Sequence, residues 1–316
     1  MRRLRYMLVS LMSLTMLVSC VHKDLCYINR KQCQVQVLFD WSETSRQAQS
    51  MRVFFYPIDG SAQEPIVYDL QGHSGGVVTL PTGEYHVVSY NTDTENVLYH
   101  YKMNSGGDLD LLLTTIPSAI ARNFKISPKS GASNVYETPD WLCRGELSQP
   151  LVITPKECGA ERIITITPEE ALYYCDYEIR GVQNLRSTVT YPMVASLSNV
   201  SRGLWLRQGL CTDRNAQMTL EAKPSEGKVV GACYLFGIPD GQTQLLTLYV
   251  RTALGVQSRS FDVTEQIPKL DPKDHIIKIH LLIDTYWELP EPIGGSDGAF
   301  NPDVEGWDDE EQDIDL

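Results

Sequence analysis

The sequence predicts an all-β protein made of β-sandwich domains. Short runs of β-branched and aromatic residues recur between turn-rich stretches, at the spacing expected of sandwich strands. No segment keeps the 3.6-residue periodicity of a long helix, and strands do not alternate with helices, which excludes doubly wound and barrel α/β folds. The hydrophobic content of 42% is sufficient for a core.

The chain begins with an export signal. Three arginines precede an uncharged run at residues 6–18, which is shorter than the roughly 20 apolar residues of a membrane-spanning helix. The run ends in Leu17-Val18-Ser19-Cys20, which resembles the lipobox of bacterial lipoproteins. That resemblance implies cleavage before Cys20 and attachment of lipid to its thiol. We therefore expect a signal peptide over 1–19 and a lipidated tether over 20–33, with no cofactor besides the covalent lipid.

A first sandwich domain is predicted over 34–148. The runs at 32–41 and 51–60 read as strands, and 75–93 reads as strand, tight turn at 81–83 and strand. A short helix is expected within 113–122. The segment 125–145, rich in Ser, Pro, Gly and Asn, is the best interior boundary.

A second sandwich domain is predicted over 149–290. Thr167-Pro168-Glu169-Glu170 has the signature of a helix start, with an N-cap, a first-turn proline and a capping-box glutamate. The strand-like runs are residues 162–168, 173–182, 188–197, 216–222, 228–238, 243–255 and 275–284. An acidic tail, residues 291–316, follows.

Charge narrows the class of partner. The formal net charge is −13, and removal of three arginines with the signal peptide makes it −16. This argues against nucleic acid and anionic membrane surfaces as partners. The tail 291–316 holds ten acidic residues and no basic one.

Seven cysteines remain after Cys20, an odd number that cannot all pair within one chain. They form no C-x-x-C motif, so neither a zinc ribbon nor a thioredoxin-type site is indicated. Cys175 and Cys233 lie in apolar strand runs and are predicted to be buried. The sequence leaves the pairing open among Cys26, Cys33, Cys143, Cys158, Cys175, Cys211 and Cys233.

One stretch of the sequence matches a motif for a catalytic nucleophile. Gly72-His73-Ser74-Gly75-Gly76 matches G-x-S-x-G, in which the serine lies on a strand-to-helix turn. The residues that follow read as a strand, so the motif lacks its helix. We predict a glycine-rich hairpin loop here and no catalytic residue.

No metal site is predicted. His275 and His280 are five residues apart, which places them on opposite faces of a strand, and His22, His73, His86 and His100 form no ligand cluster. Residues 301–312 match an EF-hand loop only in part, because Gln312 replaces the bidentate glutamate and flanking helices are missing.

Several motifs, taken in order, carry a family resemblance. They are "DLCY", "VLFDW", "RVFFYPIDG", "TLPTGEYHVVSYNTDTE", "GLWL", "LYVRTALG", "FDVTEQI" and the closing "LPEPI" and "GWDDEEQDIDL". Together they resemble an uncharacterised lipoprotein family of the Bacteroidales with a fimbrillin-like fold. The resemblance covers nearly all of the mature chain and implies two transthyretin-like sandwiches in tandem. It further implies export as a lipoprotein and a part in cell-surface pili.

The resemblance also points to a processing position. In polymerising fimbrillins a protease cuts after an arginine beyond the first strand, and Arg46 has the analogous position here. We interpret the loop as a plain surface loop and expect slow cleavage. The acidic end "DIDL" and the number of thiols fit an accessory or anchoring subunit better than a shaft subunit.

The sequence therefore predicts a non-enzymatic outer-membrane lipoprotein, an accessory or anchoring component of pili or an adhesin, monomeric in solution without its lipid. Its partners would be the membrane through the lipid, and pilus subunits or surface glycans. The alternative is a glycan- or nutrient-binding lipoprotein, and an enzyme is third. Exposed aromatics could form a glycan platform, although their placement in strands favours core packing. The sequence leaves open the ligand and whether the protein faces the periplasm or the cell surface.

Overall fold

The computed structural model describes residues 31–103, 109–129, 134–186, 191–212, 215–239, 241–268 and 278–290. These residues form mostly β-strands, as the sequence predicts. Up to residue 170 the strands are β1 Gln32–Phe39, β2 Ser50–Pro57, β3 Ile66–Gln71, β4 Gly75–Pro81, β5 Gly83–Asn91, β6 Val97–Met103, β7 Leu109–Thr115, β8 Val135–Glu137, β9 Cys143–Glu146, β10 Leu151–Ile153, β11 Arg162–Ile166 and β12 Pro168–Glu170. The later strands are β13 Tyr173–Gln183, β14 Met193–Ser201, β15 Gly203–Trp205, β16 Leu210–Cys211, β17 Asn215–Glu221, β18 Lys223–Ser225, β19 Lys228–Leu235, β20 Leu245–Thr252, β21 Gly255–Asp262 and β22 Lys278–Glu288. Helix α1 is Ala119–Asn123, and a 3-10 turn covers Thr264–Gln266.

The first sandwich packs two sheets face to face. Sheet 1 has the order β11-β1-β4, and sheet 2 has the order β12-β9-β5-β2-β3 with β10 added on β5. Strand β1 is central in sheet 1, antiparallel to β4 and parallel to β11. Its side chains alternate, and Val35 and Val37 point into the core against Val53 and Phe55 of β2. The period of two in the sequence thus marks the buried face.

Sheet 2 is buried on both faces, which explains why β2 does not alternate. Sheet 3, of order β16-β15-β7-β6, covers the face opposite to sheet 1. Phe54 stacks on Tyr90 with ring centroids 5.5 Å apart, and Tyr90 stacks on Tyr99 of β6 at 4.8 Å. Phe54 and Phe55, neighbours in the chain, are therefore both fully buried, and each contributes about 1.5–3 kcal/mol through burial.

The second sandwich packs sheet 4, of order β21-β20-β14-β17-β8, against sheet 5, of order β18-β19-β13-β22. Its core contains Leu197 and Leu248 from sheet 4 and Tyr177 and Ile179 from sheet 5. The prediction that Cys175 and Cys233 are buried, made from their apolar strand runs, is confirmed.

The chain passes between the sandwiches more than once. Strand β8 pairs with β17 in sheet 4, and the later strands β10, β11 and β12 return to pair with β5, β1 and β9. The predicted boundary at residues 148/149 thus falls between strands that belong to the first sandwich. The turn-rich segment 125–145 does not end that sandwich, because three of its strands come afterwards. The strands of the described residues thus form five sheets, and each sheet of the first sandwich contains strands from both sides of residue 148.

The two expected helical starts have different outcomes. Helix α1 begins inside the predicted segment 113–122 and ends one residue after it. Ser118 is its N-cap, and the Ser118 hydroxyl accepts a hydrogen bond from the Ala121 amide at 3.0 Å. The expected helical turn at Thr167–Glu170 is wrong. These residues form strand β12, paired with β9. Tertiary pairing overrides the local capping signature there.

No helix in the described part of the chain has the length and apolar character needed to span a membrane. The signal peptide, the lipid attachment at Cys20 and the acidic tail with its EF-hand-like stretch lie outside the described residues.

Candidate functional site

The loop between β1 and β2 holds Arg46 against aromatic rings. Its guanidinium carbon lies 4.5 Å from the ring centroid of Trp141 and 5.9 Å from that of Tyr234. A guanidinium over an aromatic face is attracted by the ring quadrupole, by about 0.5–2 kcal/mol. Arg46 is exposed to solvent, yet it is docked on the protein surface.

Glu170 of β12 fixes the same loop. Its carboxylate accepts hydrogen bonds from the Ser45 amide at 3.0 Å and the Ser45 hydroxyl at 2.6 Å. Its other oxygen accepts a hydrogen bond from the indole N–H of Trp141. One carboxylate therefore ties together the loop and the ring on which Arg46 rests. The strand that was expected to be a helix is what places Glu170 there.

The far end of the loop is fixed through Asn91, which is fully buried at the end of β5. Its amide nitrogen donates to Asp93 at 2.8 Å and to the Trp141 carbonyl at 3.1 Å, and its oxygen accepts from the Cys143 amide at 2.7 Å. Asp93 in turn accepts a hydrogen bond from the Gln49 amide at 3.0 Å. The sequence does not predict the roles of Asn91 and Glu170. Asn91 lies outside any motif, and Glu170 belongs to the expected helix-capping box, in which a glutamate would bond to its own helix start.

A groove lies between this loop and sheet 5. We call it the Arg46 groove: a cavity of about 610 Å³ bounded by the β1–β2 loop, residues 93–96, residues 138–141 and the ends of β13 and β19. Asp140 braces one wall by accepting hydrogen bonds from the amides of Glu95 and Asn96 at 2.6 and 2.5 Å. A neighbouring cavity of about 370 Å³ shares two tyrosines with it. The volume is in the range of small-molecule sites, about 300–1,000 Å³.

Strand β1 is also held covalently. Cys33, its second residue, forms a disulfide with Cys158, just before β11. Because β11 is the parallel neighbour of β1, the disulfide joins two strands that are also hydrogen-bonded. The pairing that the sequence leaves open is thus resolved for Cys33 and Cys158, while Cys26 lies outside the described residues.

Ser74 lies on a link between two sheets. Strand β3 before it belongs to sheet 2, and strand β4 after it belongs to sheet 1. The predicted hairpin is therefore a crossing connection, whereas the strand predicted after the serine is present. Trp41 fixes the link by donating its indole N–H to the His73 carbonyl at 2.6 Å. Ser74 itself is exposed.

The described histidines are dispersed. His86 of β5 is half-buried and lies 3.3 Å from the Glu146 carboxylate, and His280 of β22 pairs with Asp176. His100 is exposed on β6. Among the residues that the structure describes, no group of three His, Cys, Asp or Glu side chains is placed to hold a metal ion. His22 and His275 lie outside them.

Asp110 places a buried carboxylate between sheets 2 and 3, and the sequence does not predict it. Asp110 of β7 is fully buried, and its Oδ1 accepts hydrogen bonds from the amides of Leu111 at 2.7 Å and Arg207 at 3.0 Å. Burial raises the pKa of Asp110 above its ordinary value. The guanidinium of Arg207 lies over the ring of Tyr56 at 5.5 Å. Because Asp110 is closed off from solvent, this cluster is less accessible to a ligand than the Arg46 groove.

Solved structures similar to this chain share its fold. A candidate adhesin from Bacteroides ovatus superposes with a TM-score of 0.58 at 19% identity, covering 88% of this chain and 99% of that chain. A candidate polysaccharide-binding protein from Bacteroides thetaiotaomicron superposes with a TM-score of 0.53 at 10% identity, covering 80% and 92%. At these identities the likeness concerns the fold alone.

Sequence comparison adds a closer but shorter match. The chain is 35% identical over 99 residues to the Bacteroides ovatus protein "Putative fimbrium anchoring subunit Fim4B". The match spans 31% of this chain and 29% of that protein. The all-β sandwich-type fold predicted from the sequence is confirmed, and the predicted relationship to fimbrial proteins is confirmed by the match to the fimbrium anchoring subunit. The tandem arrangement of two transthyretin-like domains stays a prediction. The family model described as "Domain of unknown function (DUF5119)" matches residues 19–221, more than half of the chain, and the protein belongs to that family.

Proposed function

We propose that this protein is an accessory or anchoring subunit of a cell-surface fimbrium, held in the outer membrane by lipid on Cys20. The observation that carries the proposal is the way β1 is retained. It is central in sheet 1, it is hydrogen-bonded on both sides, and its Cys33 is bonded to Cys158. A subunit that polymerises by losing its first strand would need that strand to be removable.

The disulfide has a further consequence for anchoring. Cys20 precedes β1, so a cut after Arg46 would separate the lipid-bearing segment from the rest of the backbone. The Cys33–Cys158 bond would still join the two pieces. The lipid would thus continue to hold the folded body, which suits an anchor and does not suit a subunit released for assembly.

The proposal includes no enzymatic activity. Ser74, the one nucleophile motif, lies on a link without the following helix that such motifs require. The neighbouring His73 is held through its backbone carbonyl, which accepts a hydrogen bond from the Trp41 indole.

Fractionation of cells that express the protein together with its neighbouring fimbrial subunits tests the proposal. Wild-type protein should be labelled by a palmitate analogue, stay with the outer membrane and copurify with sheared fimbriae in less than equimolar amount. Cys20→Ala should lose the label, and intact fimbriae should appear in the medium. Cys211→Ala, which alters an exposed cysteine, is the matched control and should behave as wild type. Equal labelling of wild type and Cys20→Ala, or absence of the protein from purified fimbriae, would contradict the proposal.

A further inference from the structure

We propose that the Arg46 groove binds a neutral saccharide. This goes beyond anchoring, because it gives the described body of the protein a ligand of its own. The inference rests on three features of the groove: its aromatic floor, its unpaired polar groups and its charge.

The floor presents two tyrosine rings side by side. Tyr174 of β13 and Tyr234 of β19 are directly opposed across the two strands, on the outer face of sheet 5. Their ring centroids are 5.7 Å apart in an edge-to-face arrangement, and both rings are half-buried. Both rings also line the neighbouring smaller cavity. A partly exposed aromatic surface of this kind matches the C–H face of a sugar ring, which is apolar while its rim is polar.

The walls combine fixed and available polar groups. Asp93, Asp140 and Glu170 already accept hydrogen bonds from backbone amides, so they keep the walls in place. Within the described part of the chain, the side chains of Gln47 and Glu95 have no hydrogen-bond partner, and neither do the hydroxyls of the two floor tyrosines. Donors and acceptors held in position before binding reduce the ordering cost when a ligand arrives. Sugar hydroxyls are suitable partners, because each both donates and accepts.

Charge restricts the kind of saccharide. Four carboxylates line the two cavities, those of Asp93, Glu95, Asp140 and Glu170. The two cavities are also lined by two basic residues: Arg46, which rests on Trp141, and Lys278, which lines the smaller cavity. The excess of negative charge disfavours uronic acids, sialic acids and phosphorylated sugars. The many polar groups in the lining disfavour an acyl chain, since their desolvation would be left uncompensated.

A glycan microarray with the full mature chain, followed by calorimetry with the neutral oligosaccharide that binds best, tests the proposal. Neutral hexose or N-acetylhexosamine oligosaccharides should bind, and acidic ones should not. Tyr174→Ala and Tyr234→Ala should each weaken binding at least about tenfold, since loss of one stacked ring costs on the order of 1.4 kcal/mol. Tyr286→Ala, at an exposed aromatic residue of β22 outside the groove, is the matched control and should leave affinity unchanged.

A variant in the wall of the groove keeps the proposal testable if Tyr174→Ala or Tyr234→Ala fails to fold. Gln47→Ala alters an exposed loop side chain. It should weaken binding of the same oligosaccharide about tenfold, while the circular dichroism spectrum stays unchanged. Absence of binding to every neutral glycan overturns the proposal. So does binding of acidic glycans alone, or neutral binding that survives both Tyr174→Ala and Gln47→Ala.

Discussion

Cys33 and Cys158 form a disulfide that joins the start of β1 to the turn before β11, across 125 positions of the chain. The two strands are also parallel neighbours, with Val35 opposite Arg162. A parallel pair with this separation requires closure of a long loop, which costs chain entropy. The disulfide removes most of that cost by restricting the unfolded chain.

Cys33→Ser should therefore lower the free energy of unfolding by about 2–5 kcal/mol. Urea denaturation without reductant measures the change. Cys158→Ser and the double variant should show the same loss, because either substitution removes the one bond. Treatment of the wild type with dithiothreitol should reproduce it.

Cys175→Ser does not serve as the control, since that thiol is buried in the second sandwich. Cys211→Ser is preferable, because Cys211 is exposed, and it should remain within about 0.5 kcal/mol of wild type. A Cys33→Ser protein as stable as wild type would show that sheet 1 is held without the bond.

Trypsin should cut slowly after Arg46 in the folded protein. The arginine rests on Trp141, and the preceding residue is bound by Glu170, so the loop must open before a protease can accommodate it. Glu170→Ala should speed cleavage about tenfold, corresponding to loss of about 1.4 kcal/mol from the opening equilibrium. Glu43→Ala, in the exposed part of the same loop, should leave the rate unchanged.

Gel electrophoresis of the trypsin digest distinguishes nicking from release. After a cut at Arg46 the two pieces should migrate together without reductant and separate with it, because Cys33 remains bonded to Cys158. Rapid cleavage followed by filament formation, and loss of both in Arg46→Ala, would instead identify a shaft-type subunit.

Ser74, the last residue of the link between β3 and β4, and Gly75, the first residue of β4, should respond differently to substitution by alanine. Ser74→Ala should change stability by less than about 0.5 kcal/mol, and a fluorophosphonate probe should not label Ser74. Gly75 has φ +96° and pairs with Leu38, and a Cβ there would lie 2.1 Å from the Val37 carbonyl oxygen. Gly75→Ala should thus cost about 2–4 kcal/mol through strain and displacement of β1. Thermal denaturation of both variants measures the difference in stability. Stoichiometric labelling of Ser74 by the probe would contradict the prediction and indicate a catalytic serine.

The hydropathy pattern of the sequence predicts where most strands lie, but it does not predict which strands pair with one another. Alternation in β1 identifies Val35 and Val37 as buried, because burial of one sheet face leaves a period of two in the sequence. Nothing in that pattern names β11 as the neighbour of β1, since pairing across 125 residues depends on loop closure and on the packing of the whole sheet. The boundary expected at residues 148/149 was misplaced for that reason.

The groove was predictable only in part. The sequence draws attention to Arg46 through the processing position of fimbrillins, and to exposed aromatic residues as one way to bind a glycan. Arg46 and the aromatic rings lie together because Asn91 and Glu170 hold Trp141 and the β1–β2 loop in place. The hydrogen-bond partners of these two residues are distant in the chain. A buried asparagine is useful where it can satisfy several backbone groups at once, and that condition is visible only when the strands have been placed.

The last prediction concerns pH. His86 is half-buried, and this burial lowers the pKa of its imidazole. Arg144 and Arg207 act in the same direction, whereas the carboxylates of Glu146 and Asp110 raise it. Burial outweighs the pairing with Glu146, so the folded state binds a proton less readily than the unfolded state.

The sign of the effect follows from proton counts. The ordinary pKa of histidine is about 6.5. Below that pH the His86 imidazole is mostly protonated in the unfolded chain but less so in the folded protein, so the unfolded state binds more protons. Stability then falls as the pH drops from about 7 towards the lowered folded-state pKa. In His86→Gln this contribution is missing. The difference in unfolding free energy between wild type and His86→Gln should therefore shift against the wild type as the pH is lowered from 7.5 to 5. His100→Gln, at an exposed position, should keep the wild-type profile. A constant difference across the range would mean that Glu146 compensates fully for burial.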